Sequence, residues 1–375
     1  MDVKRKKRNK NKKLAIVVAL SLIVAALIFL LALVLSHKNE TKTGNDSTTE
    51  TPSSGKPVES TPAETESETR TEEPTTEYEV TIADVVVKST DTSVDLSGKT
   101  FESLDVLKTG LSMLPSLTYV DLCDSNLSNE QMEILMTEFP HIKFVWKIEI
   151  KEHGTIRTDA VAFSTLNNGT TTYRLTNEDA QVFKYCTEMR ILDLGHNAIT
   201  DFSFLKNMPE LRILIAVDDL NPEDDAHYRI TDISCIQYCT KLSYLELFLN
   251  EISDISALQN LNNLVDVNIC HNNISNVDAL MNMPKLERLY IKYNPISQED
   301  INRLIARYPD AKIVYTGDFE STGDAWRFDA NEVKHERYAL MREIIEEVHG
   351  LAQCDKPDDG TKDILEKHDF YSVFG

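Results

Sequence analysis

The sequence is poor in cysteine, in glycine loops and in positive charge, and each shortage removes a class of function. Six cysteines among 375 residues do not make a disulfide scaffold, so no disulfide is expected to be required. The 12 glycines form no Gly-rich phosphate loop, and neither a Ser/His/Asp set nor a G-x-S-x-G elbow is present. Acids are so plentiful that any acid/base pair chosen among them would be arbitrary. The expectation is a protein that is not an enzyme and needs no cofactor. Lys and Arg number 39 against 61 Asp and Glu, for a net charge of −22. Phosphate binding needs a basic surface, so nucleic acid is excluded as a partner.

The charge is unevenly spread. Residues 1–13 hold eight Lys/Arg and one Asp, a local charge of +7. Directly after them, residues 14–35, from Leu14 to Leu35, contain no charge and a single Ser. A helix of that length is about 33 Å long, enough for a hydrocarbon core of about 30 Å. The basic block predicts a cytoplasmic N-terminus and an exported remainder. A cleaved signal peptide is the alternative; the run is longer than a signal h-region, and 34–36 is a weak cleavage match. An uncleaved, single-pass signal anchor in the cell membrane is the preferred reading. Residues 36–79 are rich in Ser, Thr, Pro and Glu and carry a charge of −7. They are too polar to offset their ordering entropy and read as a disordered stalk. The region from residue 80 onward carries the other −22, which favours a basic, apolar-aromatic or cation-bridged partner.

From about residue 90 the chain is periodic. Leu242, Leu264 and Leu286 are spaced by 22, as are Asn250, Asn272 and Asn294. The segment from Met189 fits the same frame, and that from Leu211 fits with nine extra residues. The pattern L-x-x-L-x-L-x-x-N-x-I-x-x-I is a leucine-rich repeat. The L-x-L part is a short strand with alternate side chains in the core, and the Asn amide can satisfy backbone groups at the bend. The fold class is therefore α/β, a leucine-rich-repeat solenoid with a parallel sheet on its concave face and helices, 3-10 turns and irregular turns on its convex face.

Longer repeats flank the short ones. Residues 128–146 align without gaps to 297–315, each reading as a capped, Pro-terminated helix followed by a strand. The solenoid domain spans 80–315, with an N-terminal cap at about 78–90. An irregular insertion at about 144–177 is predicted to hold a hairpin turning at His153-Gly154. Residues 316–354 form a C-terminal cap region with a helix at about 332–349, N-capped by Asn331 and ended by Gly350. Val333, Leu340, Met341, Ile344, Ile345 and Val348 make its apolar face. Residues 355–375 read as a partly disordered tail.

The 22-residue register with N-x-I-x-D-I resembles the bacterial repeats of the internalin type. EFPHIKFVW, IRTDAVAFST, LTNEDA, YCTEMRILDLGHNAITDFSFL, LSYLELF and STGDAWR…ERYALMR together look like membrane-anchored surface leucine-rich-repeat proteins of Gram-positive gut Clostridia. The likeness covers about residues 90–345. It implies protein binding on the concave face and transfers no functional residue. Unlike internalins, the chain has no C-terminal wall-sorting signal, because LPSLT at Leu114 is an internal repeat segment.

Positions two, four and six after the first Leu of each repeat are expected to face outward on the concave side. These are Tyr244, Glu246 and Phe248, then Asp266, Asn268 and Cys270, then Arg288, Tyr290 and Lys292. Upstream come Asp193 and Gly195, and Ile213, Ile215 and Val217. The expected partner-binding set is Tyr244, Glu246, Phe248, Asp266, Arg288, Tyr290, Lys292, Ile215 and Asp193, centred on Tyr244, Phe248 and Tyr290. Aromatic anchors among charges are typical of binding surfaces, although sheets favour such residues anyway. The nine-residue insertion carries Asp218, Asp219, Glu223, Asp224 and Asp225. Clustered carboxylates can hold calcium, but without Gly-turned ligand spacing a solvated loop is favoured. Cys186 and Cys239 share a core position. His196 and His271 share a place at the turn. The function expected is partner recognition at the cell surface, with a cell-envelope enzyme built on the 144–177 insertion, or a purely structural surface protein, as alternatives.

Overall fold

A computed structural model of the chain describes residues 77–166, 173–217, 228–317, 324–328, 334–352 and 360–375. The predicted anchor, almost all of the stalk, the acidic insertion and Asn331 lie outside the described residues. Among those described, no helix is long and apolar enough to cross a membrane.

The first element is a hairpin of β1 (Glu79–Ile82) and β2 (Val85–Lys88), paired antiparallel around Ala83 and Asp84, both at positive φ. It caps the stack by burying Val80, Ile82 and Val87. A three-stranded parallel sheet follows, of β3 (Ser93–Asp95), β4 (Tyr119–Asp121) and β5 (Lys143–Val145). Helix α1 (Leu104–Ser112) lies between β3 and β4, and α2 (Asn129–Glu138) between β4 and β5. Gly110 of α1 is needed where it stands. A Cβ there would lie 2.7 Å from Ile82 Cγ1, so helix and cap approach only because that side chain is absent.

The insertion contains the hairpin of β6 (Lys147–Glu149) and β7 (Thr155–Arg157). Its turn uses Glu152 and Gly154 at positive φ, and the Ile150 amide donates to the Gly154 carbonyl at 2.8 Å. After it comes a seven-stranded parallel sheet. Its strands are β8 (Ala162–Ser164), β9 (Ile191–Asp193), β10 (Ile213–Ile215), β11 (Tyr244–Glu246), β12 (Asp266–Asn268), β13 (Arg288–Tyr290) and β14 (Lys312–Val314). The short helix α3 (Asn177–Ala180) precedes β9, and α4 (Gln298–Arg307) precedes β14. Pairing joins equal repeat positions: Tyr244 sits beside Ile213 on one side and Asp266 on the other. The repeat period is therefore also the register of the sheet.

The asparagines stitch one repeat to the next. Asn272 Nδ2 donates to the carbonyls of Leu247 at 2.9 Å and Ile269 at 3.1 Å, and its Oδ1 accepts from the Ile252 amide at 3.0 Å. Asn250 and Asn294 repeat this set. The residue before each Asn is left-handed, at His196, Leu249, His271 and Tyr293. That is the role of the paired histidine positions: they make the turn. From β8 to β13 each convex side closes with a 3-10 turn. The aspartates of the repeat start these turns, as where Asp232 and Asp254 Oδ1 accept from the Ser234 and Ser256 amides at 2.8 Å. Helices α2 and α4 occupy equivalent places, N-capped by Ser128 and Ser297, and each stops before a proline, which disfavours helix in the residue ahead of it.

The core of the stack is apolar throughout. Leu192, Leu214, Leu245, Val267 and Leu289, the middle residues of β9 to β13, belong to one cluster with the convex-side residues. Cys186 and Cys239 are fully buried in it, and burial pushes the Cys239 thiol up to about 12. The five described cysteines are free thiols.

The C-terminal end differs from expectation. Helices α5 (Asp324–Arg327), α6 (Glu336–Ala352), α7 (Gly360–Lys367) and α8 (Phe370–Phe374) complete the chain. The helix expected from about 332 runs from Glu336. Residues past 355, read as a partly disordered tail, include two helices that bury Leu365, Phe370 and Phe374. These side chains are ordered because the outer face of the sheet receives them.

Candidate functional site

The outer face of β9 to β13 carries every residue expected to bind a partner. All face the predicted side, but the expectation that they are exposed is corrected. Tyr244, Asp266 and Tyr290 are 0 % exposed and Lys292 is 1 % exposed, and Asp193, Ile215, Glu246, Phe248 and Arg288 are buried as well. The chain's own residues 324–328, 334–352 and 360–375 cover the face around Tyr244, Asp266 and Phe248. Trp326, Tyr338, Met341, Ile344, Ile345 and Val348 form one apolar cluster with Ile191, Ile213, Ile215, Val217, Tyr244, Phe248 and Tyr290.

Trp326 is the anchor. Its ring meets Tyr290 edge-on, with centroids 4.9 Å apart, and tilts against Tyr244 at 5.6 Å. Indole Nε1 donates to Glu246 Oε1 at 2.8 Å and lies 3.0 Å from the Tyr244 hydroxyl. The Tyr244 hydroxyl also donates to Glu246. Burial pushes the Glu246 carboxyl above its ordinary range, although hydrogen bonds from Tyr244 and Trp326 oppose the shift. Burial and the Glu246 charge together raise Tyr244.

One repeat along, Asp266 is held by two guanidinium groups. Arg288 donates through Nε at 2.8 Å and NH2 at 2.9 Å. Arg337 of α6 donates through Nε at 2.7 Å and NH2 at 2.9 Å and also pairs with Glu287 at 2.7 Å. Burial works to raise the Asp266 pKa, but Arg337 and Arg288 outweigh it and hold the carboxyl below its ordinary value. Arg288 stacks over Trp326 at 4.0 Å and donates to its carbonyl at 3.0 Å. The two anchors are thus coupled through one arginine.

At the other end of the face Asp193 accepts from Ser164 Oγ at 2.8 Å and the Gly195 amide at 3.1 Å. Burial raises its pKa. A cavity of about 60 Å³ separates Asp193, His196 and Glu246 from Arg327, Tyr338 and Arg342 of the segment. Further contacts seal the rim. Thr361 Oγ1 accepts from the Val161 amide at 3.2 Å, and the Phe374 carbonyl accepts from Ser243 Oγ at 3.1 Å.

In the insertion, Arg157 ties β7 back to β4. Arg157 bridges Asp121 and Asp159, each at 2.8 Å, and reaches the Tyr119 hydroxyl at 3.1 Å. Among the described residues no group of three or more His, Cys, Asp or Glu is placed to hold a metal ion. The carboxylates considered for calcium lie outside those residues.

The sequence reading missed Trp326 and Arg337 as members of the site. The signal was present in two unmatched apolar surfaces: the stripe on the sheet and the face of the following helix. Pairing them would have predicted the cover.

A leucine-rich-repeat family model matches residues 185–201 and 238–258. No curated protein matches the chain in sequence. Similar solved structures include an internalin C2 of Listeria monocytogenes, at 21% identity over 60% of this chain and 80% of that one, with a TM-score of 0.33. An internalin of the same organism, inlF, matches at 17% identity over 62% and 86%, with a TM-score of 0.31. A leucine-rich-repeat protein of Leptospira interrogans matches at 19% identity over 55% and 50%, with a TM-score of 0.36. The repeats and the parallel sheet define a leucine-rich-repeat fold, and the family model falls on two stretches of it.

Proposed function

We propose that the protein is a recognition module of the cell surface. Residues 14–35 hold it in the cell membrane as a single span with the N-terminus cytoplasmic. Residues 36–79 lift the solenoid off the bilayer. The outer face of the sheet binds a protein partner when segment 324–375 leaves it. One observation carries the reading. The outer face is built like an interface, with Tyr244 and Arg288 packed against the indole of Trp326 and desolvated charges beside them, the composition that dominates binding energy between proteins.

The test uses the full-length chain on intact cells. Trp326→Ala with Arg337→Ala loosens the segment, and Tyr290→Ala added to that pair damages the face. Surface cross-linking should give more partner with the loosened chain than with the wild type, and the gain should vanish with the triple variant. Equal yields from all three chains would end the proposal.

A further inference from the structure

The segment on the outer face shows what that face selects. We infer that its partner is a helix-forming protein segment that carries a tryptophan and an arginine, and that it binds by taking the place of residues 324–328 and 334–352. This rests on the recognition reading above and names the partner's chemistry.

Three observations support it. First, the sheet offers an aromatic slot with a hydrogen-bond acceptor at its base. Tyr244 and Tyr290 form the walls and Glu246 accepts an indole N–H at 2.8 Å. A phenyl ring would fill the slot and leave Glu246 without that donor, which is costly for a buried carboxylate. Second, Asp266 takes two bidentate guanidinium groups, of which only Arg288 belongs to the sheet. The second comes from the segment and reaches Glu287 as well. A bound helix without an arginine there would leave the buried Asp266 with one guanidinium in place of two. Third, the apolar patch of Ile191, Ile213, Ile215 and Val217 receives Met341, Ile344, Ile345 and Val348 of α6. Those four recur at three- and four-residue intervals, the stripe of one helical face. The face therefore reads an indole, a guanidinium and a helical stripe in a fixed order.

Its own segment competes through linkage in the same chain. Tethering gives an effective concentration of about the millimolar scale, so a partner must exceed that competition or meet a chain whose segment has opened.

The experiment uses the full-length chain in detergent micelles and a fluorescent peptide of residues 324–352 as the probe. Anisotropy is read for the wild type, for Arg337→Ala, and for Trp326→Ala with Arg337→Ala. Peptides carrying Trp326→Ala or Arg337→Glu serve as comparisons. Both loosened chains should bind the native peptide at least tenfold more tightly than the wild type does. They should also bind either altered peptide at least tenfold more weakly than the native one. The single variant keeps the test valid if the double variant misfolds, which circular dichroism reports. Equal binding of all three peptides, or binding of none, overturns the inference. A wild-type chain that dimerises through the segment, with dimers lost in the loosened variants, also overturns it, since the occupant is then a second copy. If the peptides fail but the loosened chain still gains partners on cells, the recognition reading stands and only the partner class falls.

Discussion

Two faces of the same seven strands have been built to different rules. The inner face takes Leu192, Leu214, Leu245, Val267 and Leu289 into the hydrophobic core of the stack. The outer face, one residue to either side, buries Asp193, Glu246, Asp266, Asn268 and Arg288. A face meant only to be buried gains nothing from charges, because a buried ion pair rarely outperforms a well-packed apolar one. Charges fix direction and selectivity. The inner face holds the stack together; the outer face specifies what lies on it.

The contrast breaks most sharply at Asp266. Asp266→Ala leaves Arg288 buried without its carboxylate, a loss of about 3–5 kcal/mol. It should free the C-terminal helices first, so limited proteolysis should cut within 324–375 while the stack persists. Cleavage in the repeats at the same rate would mean the faces are not separable. Leu245→Ala on the inner face should cost about 2–5 kcal/mol and lower one global thermal transition, since neighbouring repeats depend on each other. Loss of the C-terminal helices alone would contradict that. Asn272→Ala removes the bridge between two repeats and leaves backbone groups unpaired, at about 1–3 kcal/mol; an unchanged denaturant midpoint would show the ladder to be dispensable.

Acidity should act on the outer face in both directions. Glu246 and Asp193 have raised pKa values through burial, so they hold protons longer in the closed form. Their contribution is fully present below the unfolded values and is lost as pH rises through the folded ones. Asp266 is lowered, so its contribution is present above the unfolded value and is lost as pH falls through the folded one. Segment docking should therefore peak near the ordinary carboxylate range, about pH 4, and loosen on either side; Glu246→Gln should remove part of the loss at higher pH. Docking that is flat from acid to neutral would refute this balance. The smallest effect expected is at Lys367, whose pairing with Glu347 is exposed and screened by solvent; Lys367→Ala should leave the transition nearly unmoved.

The sequence made the stack legible because its constraint is periodic. A Leu or an Asn that must meet its counterpart in the next turn recurs at a fixed interval, and α2 and α4 repeat the same residues for the same reason. The outer-face residues were also readable as a set, since alternation in a strand places them on one side. Their burial was not readable. It depends on Trp326 and Arg337, which occur once and lie far along the chain from their partners Glu246 and Asp266. The helices past 355 were missed for a related cause: their few apolar residues are too sparse to fold alone and need the sheet.

Amide hydrogen exchange on the full-length chain tests the central claim most directly. If the outer face is an interface held by a separable segment, residues 336–352 and 360–374 exchange through an opening of lower free energy than β9 to β13, whose amides keep their protection while the segment is free. If the helices and the strands lose protection together, in one step and with equal protection, the segment is an inseparable layer of the fold and the account is wrong.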